Sequence, residues 1–401
     1  MENSKKIKIA FIKYAGLASG GTEKFLQNIA IKLPKDKFEV DYYYCDASPY
    51  LGSDFKHIDT DIRNIKPMQE SGVNLIRFNV GAKDIRKRTH DWIDTDFWNI
   101  FQKEKYDLIQ TGRSGHPEYP FTKIKNIPII DSIHFLGGID NQYNISRVMH
   151  ITQWSADRWV NLGGDKNRVV LVPHPMIVDG SIGESLKNSL ELQDKIIFGF
   201  HQRDSDEIYS NIPLLAFKEI AGDSNHFIIM GGSKLYREQA ETLGIKNITF
   251  LEFSGDRSKI YSFLKTLDVY AHGRKDGEVN STAMAEAMYF GLPIISHTSE
   301  IHNGHMECIG DAGVVTENLN EYIEALKQYS DKDYREMKSE LAKQRFQDMY
   351  EENGQMRNII NIYLDALKNP YPHKIKRFIS SFRIKFIFKK TLGKFLKFLF
   401  S

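Results

Sequence analysis

The chain has 401 residues, of which 41% are hydrophobic and 26% charged, and its formal net charge is +2. This length exceeds the ~250–300 residues at which one hydrophobic core usually stops growing, and the composition excludes a disordered or collagen-like chain. Cys45 and Cys308 lie far apart, and neither belongs to a CxxC or CxxH pair, which excludes a disulfide framework and a zinc ribbon. We therefore expect two domains that fold in a reducing compartment.

The first residues enter a strand pattern directly. IKIAFIKY at 7–14 predicts a strand, GLASGG at 16–21 a glycine-rich turn, and 22–33 a helix with Phe25 and Ile29 on one face. No apolar h-region or cleavage site precedes this unit, so no signal peptide is expected. No stretch reaches the ~18 apolar residues of a spanning helix. We expect a protein that is not translocated.

Short apolar runs then alternate with segments long enough for helices. In the first half, strands are predicted at 40–44, 74–78, 107–110, 128–133, 150–152 and 169–172. A linker is predicted near 174–192, after which strands follow at 195–199, 226–230, 247–251, 267–271 and 292–296. This alternation predicts an α/β protein in which two Rossmann-like domains with parallel sheets face one another across a cleft.

The segment GEVNSTAMAEAMYFGLPIIS at 277–296 predicts a loop, a short helix and a buried strand. Asn280 or Ser281 suits the helix N-cap, Gly291 suits the position just past the helix, and Pro293 forbids its continuation.

Two carboxylates flank this helix N-terminus. Glu278 lies in the preceding loop, and Glu286 lies in the second turn, on the same face as Thr282. The free N–H groups and the dipole of a helix N-terminus suit a pyrophosphate, and carboxylates accept hydrogen bonds from sugar hydroxyls. The spacing therefore points to a nucleotide sugar. The alternative is a capped helix with two surface glutamates.

This segment resembles the Glu-x7-Glu signature of the retaining GT-B glycosyltransferases (group 1, family 4 type), which include many lipopolysaccharide and capsule transferases. The resemblance spans about residues 7–350, and includes SKIYSFLKTLDVYAHGR before the motif and SEIHNGHMECIGDAGVV after it. It implies that Glu278 contacts the transferred sugar and that Glu286 binds the ribose of the nucleotide. The phosphates would be bound by backbone N–H groups of Asn280, Ser281 and Thr282.

Arg203 follows the first strand of the second half, where this family places an arginine and then a lysine on the donor diphosphate. A planar guanidinium suits this task because it can hold two phosphate oxygens. The lysine is missing, since no basic residue lies between Arg203 and Lys218. The candidates to replace it are Lys234, Arg274 and Lys275. For Arg203 itself, the alternative is a surface salt bridge.

In the first half, Gly20 and Gly21 resemble the family's glycine loop, where the backbone approaches the donor phosphates or the acceptor. The alternative is a tight turn. His134 falls at the carboxyl end of a predicted strand, the edge where open α/β sheets bind ligands. The family often carries a histidine near the transferred sugar at this position, and the alternative is a satisfied core histidine. Three residues after the 107–110 strand are candidates for acceptor contacts: Arg113, His116 and Glu118.

Two DxD triplets, at 59–61 and 94–96, are similar to the metal-binding signature of the other main glycosyltransferase fold. Neither follows an apolar strand directly, so we interpret them as solvated or capping acids. The resemblance implies that the diphosphate is stabilised by Arg203 and the helix N-terminus. We therefore expect neither a metal nor another cofactor.

Residues 370–401 hold nine Lys or Arg and no Asp or Glu, which leaves 45 basic against 52 acidic residues elsewhere. Apolar residues from Ile375 to Phe386 follow a helical period between these cations, and a second run follows Gly393. The pattern predicts a basic amphipathic helix over 372–401 on an anionic membrane surface. The alternative is a terminal helix packed on the protein. No recognition fold for nucleic acid is present.

We predict an N-terminal acceptor domain at 1–173, a C-terminal nucleotide-sugar domain at 174–335, helices at 336–370 that return to the N-domain, and the basic tail at 371–401. The resemblance implies a glycosyltransferase at the cytoplasmic face of the membrane, acting on a glycan or lipid-linked acceptor in cell-surface polysaccharide biosynthesis. The alternatives are a GT-B-fold sugar-nucleotide epimerase and a non-catalytic glycosyltransferase-like subunit.

Overall fold

The computed structural model describes residues 5–18, 20–45, 60–79, 92, 95–118 and 120–370. Parallel strands in the first half form one seven-stranded sheet, in which each strand is short and largely buried. They are β1 (Ile7–Ile12), β2 (Phe38–Tyr44), β3 (Asn74–Arg77), β4 (Leu108–Arg113), β5 (Ile129–Ile133), β6 (Ile145–His150) and β7 (Val169–Leu171). Their order is β3-β2-β1-β4-β5-β6-β7. Every residue of β4, β5 and β6 is buried, as expected for a parallel sheet covered on both faces.

Strands in the second half form a six-stranded parallel sheet and a separate two-stranded ladder. They are β8 (Ile196–Gln202), β9 (Asn225–Gly231), β10 (Ile248–Leu251), β11 (Val269–Ala271), β12 (Gly277–Glu278), β13 (Ile294–His297), β14 (His302–Asn303) and β15 (Gly313–Thr316). The sheet order is β10-β9-β8-β11-β13-β15, and β12 pairs with β14. The prediction of an α/β GT-B fold with two Rossmann-like domains is confirmed.

Helices connect and cover these strands. They are α1 (Gly21–Lys32), α2 (Ile65–Glu70), α3 (Phe97–Ile100), α4 (Gln153–Asn161), α5 (Ile212–Ile220), α6 (Lys234–Thr242), α7 (Arg257–Leu264), α8 (Thr282–Tyr289), α9 (Gly304–Ile309), α10 (Leu319–Gln328), α11 (Lys332–Tyr350) and α12 (Glu352–Lys368). Within the described ranges, none of them is long and apolar enough to cross a membrane.

The strand order of each sheet reverses beside its first strand. In the first sheet β1 lies between β2 and β4, and in the second sheet β8 lies between β9 and β11. Open α/β sheets bind ligands at the carboxyl ends of the strands at such a reversal. The topology therefore predicts one ligand position in each domain.

The chain crosses between the domains at two places that lie side by side. Met176 forms a parallel bridge with Glu351, and its N–H donates to the Tyr350 carbonyl at 3.2 Å. Helix α11 contributes Phe346 to the core of the second domain. Helix α12 packs on the first domain, where the Tyr363 hydroxyl donates to Gln110 Oε1 at 2.8 Å. Of the stretch 336–370, it is therefore α12 that returns to the N-domain.

One strand lies earlier than its sequence pattern indicated. The strand predicted at 150–152 is β6, which ends at His150, and Thr152 caps α4 by accepting from Ser155 N–H. This strand contains polar residues, so its sequence lacks the apolar run that would predict a strand. Arg147 is buried because its guanidinium donates to the Ser146 carbonyl at 2.8 Å and pairs with Asp365. The predicted basic tail lies outside the described residues.

Candidate active site

Helix α8 begins at Thr282, directly after one of the two predicted N-cap residues. Ser281 is its N-cap, and the serine Oγ accepts a hydrogen bond from the Met284 N–H at 3.3 Å. Asn280 Oδ1 accepts from the Tyr350 hydroxyl at 3.1 Å and lies 3.2 Å from Cys308 Sγ. These two side chains fix the loop and the helix start. The backbone N–H groups of Asn280, Ser281 and Thr282 lie at this helix start, where a phosphate contact is predicted.

Glu278 and Glu286 are mostly buried, with 19% and 16% of their side chains exposed. Burial raises the pKa of Glu278, and the positive charges of Arg274 and Arg203 oppose that shift. Burial likewise raises the pKa of Glu286, opposed by Lys24 and Arg257. Buried carboxylates of this kind require partners, which makes both of them candidates for contacts with ligand hydroxyls.

Two histidines that the sequence analysis did not select stand beside these carboxylates. His272 Nε2 lies 3.8 Å from Glu278 Oε1, and His201 Nε2 lies 4.0 Å from Glu286 Oε2. Burial lowers the pKa of His201 to about 4, and burial also holds the pKa of His272 well below its usual value. Both rings are therefore neutral at pH 7 and do not neutralise the glutamates. Both histidines lie at the carboxyl ends of strands, β8 and β11, and this position could have identified them from the sequence.

Arg203 directly follows β8 at the strand-order reversal and is exposed. Its charge acts on Glu278 across the same edge. Arg274 is committed elsewhere, because it pairs with Asp276 at 2.5 Å and with Glu278 at 3.4 Å. The Lys234 side chain is 86% exposed and lies 3.7 Å from Glu238 on its own helix, and Lys275 is exposed.

Gly20 and Gly21 form the start of α1, and Gly20 is its N-cap. A Cβ at Gly20 would meet only the end of the Glu23 side chain, and a Cβ at Gly21 would meet no atom within 4 Å. The Gly21 carbonyl accepts a hydrogen bond from His174 Nε2 at 3.3 Å. This contact joins the glycine turn to the segment where the chain leaves the first domain.

Lys24 is the cation that this glycine turn brings toward the second domain. Its charge acts on Glu286 and His201, which belong to the second domain, and on His174. The sequence analysis did not select Lys24, because it belongs to the other half of the chain from Arg203. The fold thus brings a cation of the first domain near the Glu286 carboxylate of α8.

His134 follows β5 at the carboxyl edge of the first sheet. Its ring packs edge-on against Phe25, with centroids 4.7 Å apart. The Nε2 atom is buried and has no hydrogen-bond partner among the described residues. Burial holds the pKa of His134 well below its usual value, and His174 lowers it further. His134 is therefore a neutral imidazole with one unused polar atom.

The first domain has a cavity of about 200 Å³ at its strand-order reversal, between the ends of β1 and β4. His116 and Glu118 line it, and so does Arg113, whose side chain is only 1% exposed. Arg113 pairs with Asp131 at 2.8 Å and with Asp140 at 3.0 Å. Arg113 therefore supports the cavity wall, while Glu118, 15% exposed, faces the space.

The described acids of the two DxD triplets bond to neighbouring protein groups, and of these only Asp61 caps a helical turn with its side chain. Asp61 accepts from the Arg63 N–H at 3.0 Å, and Asp96 accepts from the Asn79 N–H at 2.6 Å. Asp59 and Asp94 lie outside the described residues. Within the described part of the chain, no group of three or more His, Cys, Asp or Glu side chains is placed to hold a metal ion.

Comparisons with known proteins agree with this arrangement. Residues 182–345 match the family "Glycosyl transferases group 1". The fold is similar to that of a glycosyltransferase from Rickettsia africae ESF-5, with a TM-score of 0.69 and 13% identity over 91% of this chain and 100% of that chain. It is also similar to Anabaena Alr3699/HepE in complex with UDP and glucose (TM-score 0.63, 16% identity, 90% and 100% covered).

A third similar structure is WaaG, a glycosyltransferase involved in lipopolysaccharide biosynthesis (TM-score 0.58, 16% identity, 89% and 99% covered). The sequence has no significant match among curated proteins. At these identities the structural likeness shows the GT-B fold.

Proposed function

We propose that the protein is a retaining glycosyltransferase, which moves a hexosyl-type sugar from a nucleoside diphosphate sugar to a glycan or lipid-linked acceptor in cell-surface polysaccharide biosynthesis. The observation that carries the proposal is the pair of buried carboxylates, Glu278 and Glu286, on either side of the α8 N-terminus. The family match over residues 182–345 supports the reaction class. The UDP and glucose bound to HepE support a nucleotide sugar as donor.

In this proposal Glu286 accepts hydrogen bonds from the ribose, and Glu278 accepts them from the transferred sugar. The first N–H groups of α8 and the Arg203 guanidinium bind the diphosphate, and Lys24 is the second cation in place of the missing lysine. His134, whose Nε2 has no hydrogen-bond partner among the described residues, contacts the transferred sugar in this proposal. Charge grows on the diphosphate as the glycosidic bond breaks, and fixed donors stabilise it. No metal ion is needed for this role.

A screen of nucleotide sugars tests the proposal. The full-length protein is incubated with UDP-, GDP-, ADP- and CMP-sugars and with oligosaccharide acceptors, and NMR identifies the products. We expect one nucleoside diphosphate sugar to be consumed and the new linkage to keep the anomeric configuration of the donor. Conversion of the donor to its epimer without an acceptor would favour the epimerase, and binding without turnover would favour a non-catalytic subunit.

Replacing Glu286 with alanine is expected to weaken nucleotide binding by about 10-fold to 150-fold. The ribose would lose a charge-assisted hydrogen bond, which is typically worth about 1.5–3 kcal/mol. Calorimetry with the nucleotide selected by the screen measures the change. Glu241→Ala, on the exposed side of α6, is the matched control and is expected to bind like the wild type. Equal affinities in all three proteins would remove Glu286 from the donor site.

We further propose that residues 372–401 hold the protein at an anionic, cytoplasmic membrane surface. Deleting this tail is expected to abolish flotation with vesicles that contain phosphatidylserine, while transfer to a soluble acceptor persists. Each cation near such a surface contributes about 1 kcal/mol, so binding of the full-length protein should weaken as salt screens the attraction. Equal flotation of both proteins, or of neither, would contradict the membrane role of the tail.

A further inference from the structure

We propose that the cavity in the first domain recognises the acceptor as an uncharged sugar, whose hydroxyl donates a hydrogen bond to Glu118 and whose ring packs against Phe135. This inference rests on the proposed function and names the chemical class of the acceptor. The cavity lies between the ends of β1 and β4, where an open sheet places its ligand. The polar groups and the aromatic ring that line the cavity determine which class of ligand it can bind.

The cations of this cavity already have anionic partners. Lys13 Nζ lies 3.3 Å from Glu23 Oε1. Arg113 is bound by two buried aspartates behind the wall, Asp131 and Asp140. Neither cation therefore offers an unmatched positive charge. The lining carboxylates Glu23 and Glu118 match the two cations in number. With the two aspartates behind the wall, four carboxylates surround two cations, so like-charge repulsion disfavours an anionic acceptor group such as a phosphate.

Glu118 is the polar group that these pairings leave facing the cavity. Its Oε1 lies 3.9 Å from His116 Nε2, and its side chain is 15% exposed. An ionised carboxylate is an acceptor only, so it pairs with a donor such as a hydroxyl. A sugar hydroxyl supplies that donor without adding charge, and it would satisfy a carboxylate that burial has partly removed from water.

Phe135 provides the apolar face of the cavity. Its side chain is 57% exposed, although its ring approaches His302 of the second domain with centroids 5.7 Å apart. Large exposed aromatic rings beside convergent polar groups are a feature of ligand sites. The C–H face of a sugar ring can cover Phe135 while its hydroxyls reach Glu118. The contact with His302 also places this ring where the two domains meet.

The charges around Glu118 give the site a pH dependence. Burial raises the pKa of Glu118 to about 7, the charges of Arg113 and Lys13 oppose this shift, and those of Asp131 and Asp140 add to it. His116 and Glu23 also line the cavity. Only the ionised carboxylate accepts with both oxygens, so sugar affinity should rise between pH 6 and pH 8.

Saturation-transfer NMR on the full-length protein tests the inference. The probes are the methyl glycosides of glucose, galactose and N-acetylglucosamine, and glucose 6-phosphate is the anionic comparison. We expect at least one glycoside to bind, about tenfold more tightly at pH 8 than at pH 6, and more tightly than glucose 6-phosphate. Glu118→Gln should weaken binding at pH 8 at least about tenfold and abolish the pH dependence.

Phe135→Ala is the second variant, because an exposed ring can be removed without opening the core. It should weaken binding of the glycoside and leave the pH dependence in place. The matched controls are Glu104→Gln, with 74% of its side chain exposed in the first domain, and Phe253→Ala, 47% exposed in the second domain. Both controls are expected to bind the glycoside like the wild type.

Three results would overturn the inference: no glycoside binds, glucose 6-phosphate binds more tightly, or both cavity variants bind like the controls. Calorimetry with UDP, GDP and ADP on the same samples separates this failure from failure of the proposed function. If the protein binds a nucleotide but no glycoside, the proposed donor site stands and only the acceptor proposal fails. A folded protein that binds none of these nucleotides would contradict the proposed function itself.

Discussion

Replacing Arg203 with alanine is expected to lower kcat by about 10²-fold to 10³-fold, with a much smaller change in the KM of the donor. Removing one preorganised donor from a developing negative charge costs about 2.7–4 kcal/mol in other enzymes. The diphosphate gains charge as the glycosidic bond breaks, so the loss falls on the transition state rather than on the bound donor. Arg203 is exposed after β8, so its removal should not disturb the core.

Steady-state kinetics with the donor selected by the screen measure this effect. Lys218→Ala is the control, since Lys218 is the next basic residue along the chain and is exposed on α5. Arg203→Lys should recover part of kcat, because it restores the charge but not the two-pronged geometry. An unaltered kcat in Arg203→Ala would mean that another cation holds the diphosphate, and Lys24 is then the first to test.

Replacing Arg113 with methionine is expected to lower the free energy of unfolding by about 3–5 kcal/mol. Its guanidinium bonds to Asp131 and Asp140 at 2.8 and 3.0 Å, and all three side chains are at most 2% exposed. Removing the cation leaves Asp131 buried without its ion-pair partner and leaves Asp140 only its hydrogen bonds from Gln142, which is the costly way to break a buried ion pair. The Arg113 guanidinium also stacks over Phe121 at 4.9 Å, and methionine keeps some of that packing.

Urea unfolding at pH 5.5 and pH 8 measures the loss of unfolding free energy and shows whether it grows or shrinks as the pH rises. Burial raises the pKa of Asp131, and Arg113 opposes that shift, so the variant should raise it further. A raised pKa means that stability falls as pH rises, so the deficit of the variant should be larger at pH 8. Arg63→Met, at a guanidinium that is 60% exposed, is the control and should cost less than about 1 kcal/mol. An equally small loss for Arg113→Met at both pH values would contradict a stabilising role for this buried ion pair.

Local sequence patterns predicted the elements of the second domain well. Helix α8 starts after Ser281 and ends before Gly291, whose φ of +74° suits glycine. The strand over 226–230 corresponds to β9 with one residue added at each end. These elements could be predicted because helix caps and apolar runs depend on residues only a few positions apart in the sequence. The same local pattern placed Glu278 and Glu286 around one helix N-terminus.

Contacts between distant parts of the chain could not be predicted from local sequence patterns. Strand β6 is polar in sequence because Arg147 obtains its partner, Asp365, from α12. The contact between the Asn280 side chain and the hydroxyl of Tyr350 on α11, at 3.1 Å, has no signal in the local sequence. Lys24 approaches Glu286 only because the two domains meet. Each of these features depends on a contact between residues more than 60 positions apart in the sequence. The hydrophobic periodicity of a single helix or strand carries no information about such a contact.

The measurement that tests the donor site most directly is a crystal structure of the protein with the nucleoside diphosphate that the screen selects. We predict ribose hydroxyls within about 2.5–3.0 Å of the Glu286 carboxylate. We also predict that the diphosphate lies at the first turn of α8, with the Arg203 guanidinium bonded to its oxygens. A nucleotide bound away from α8, or a diphosphate that contacts neither Arg203 nor the amides of this turn, would contradict the proposed donor site.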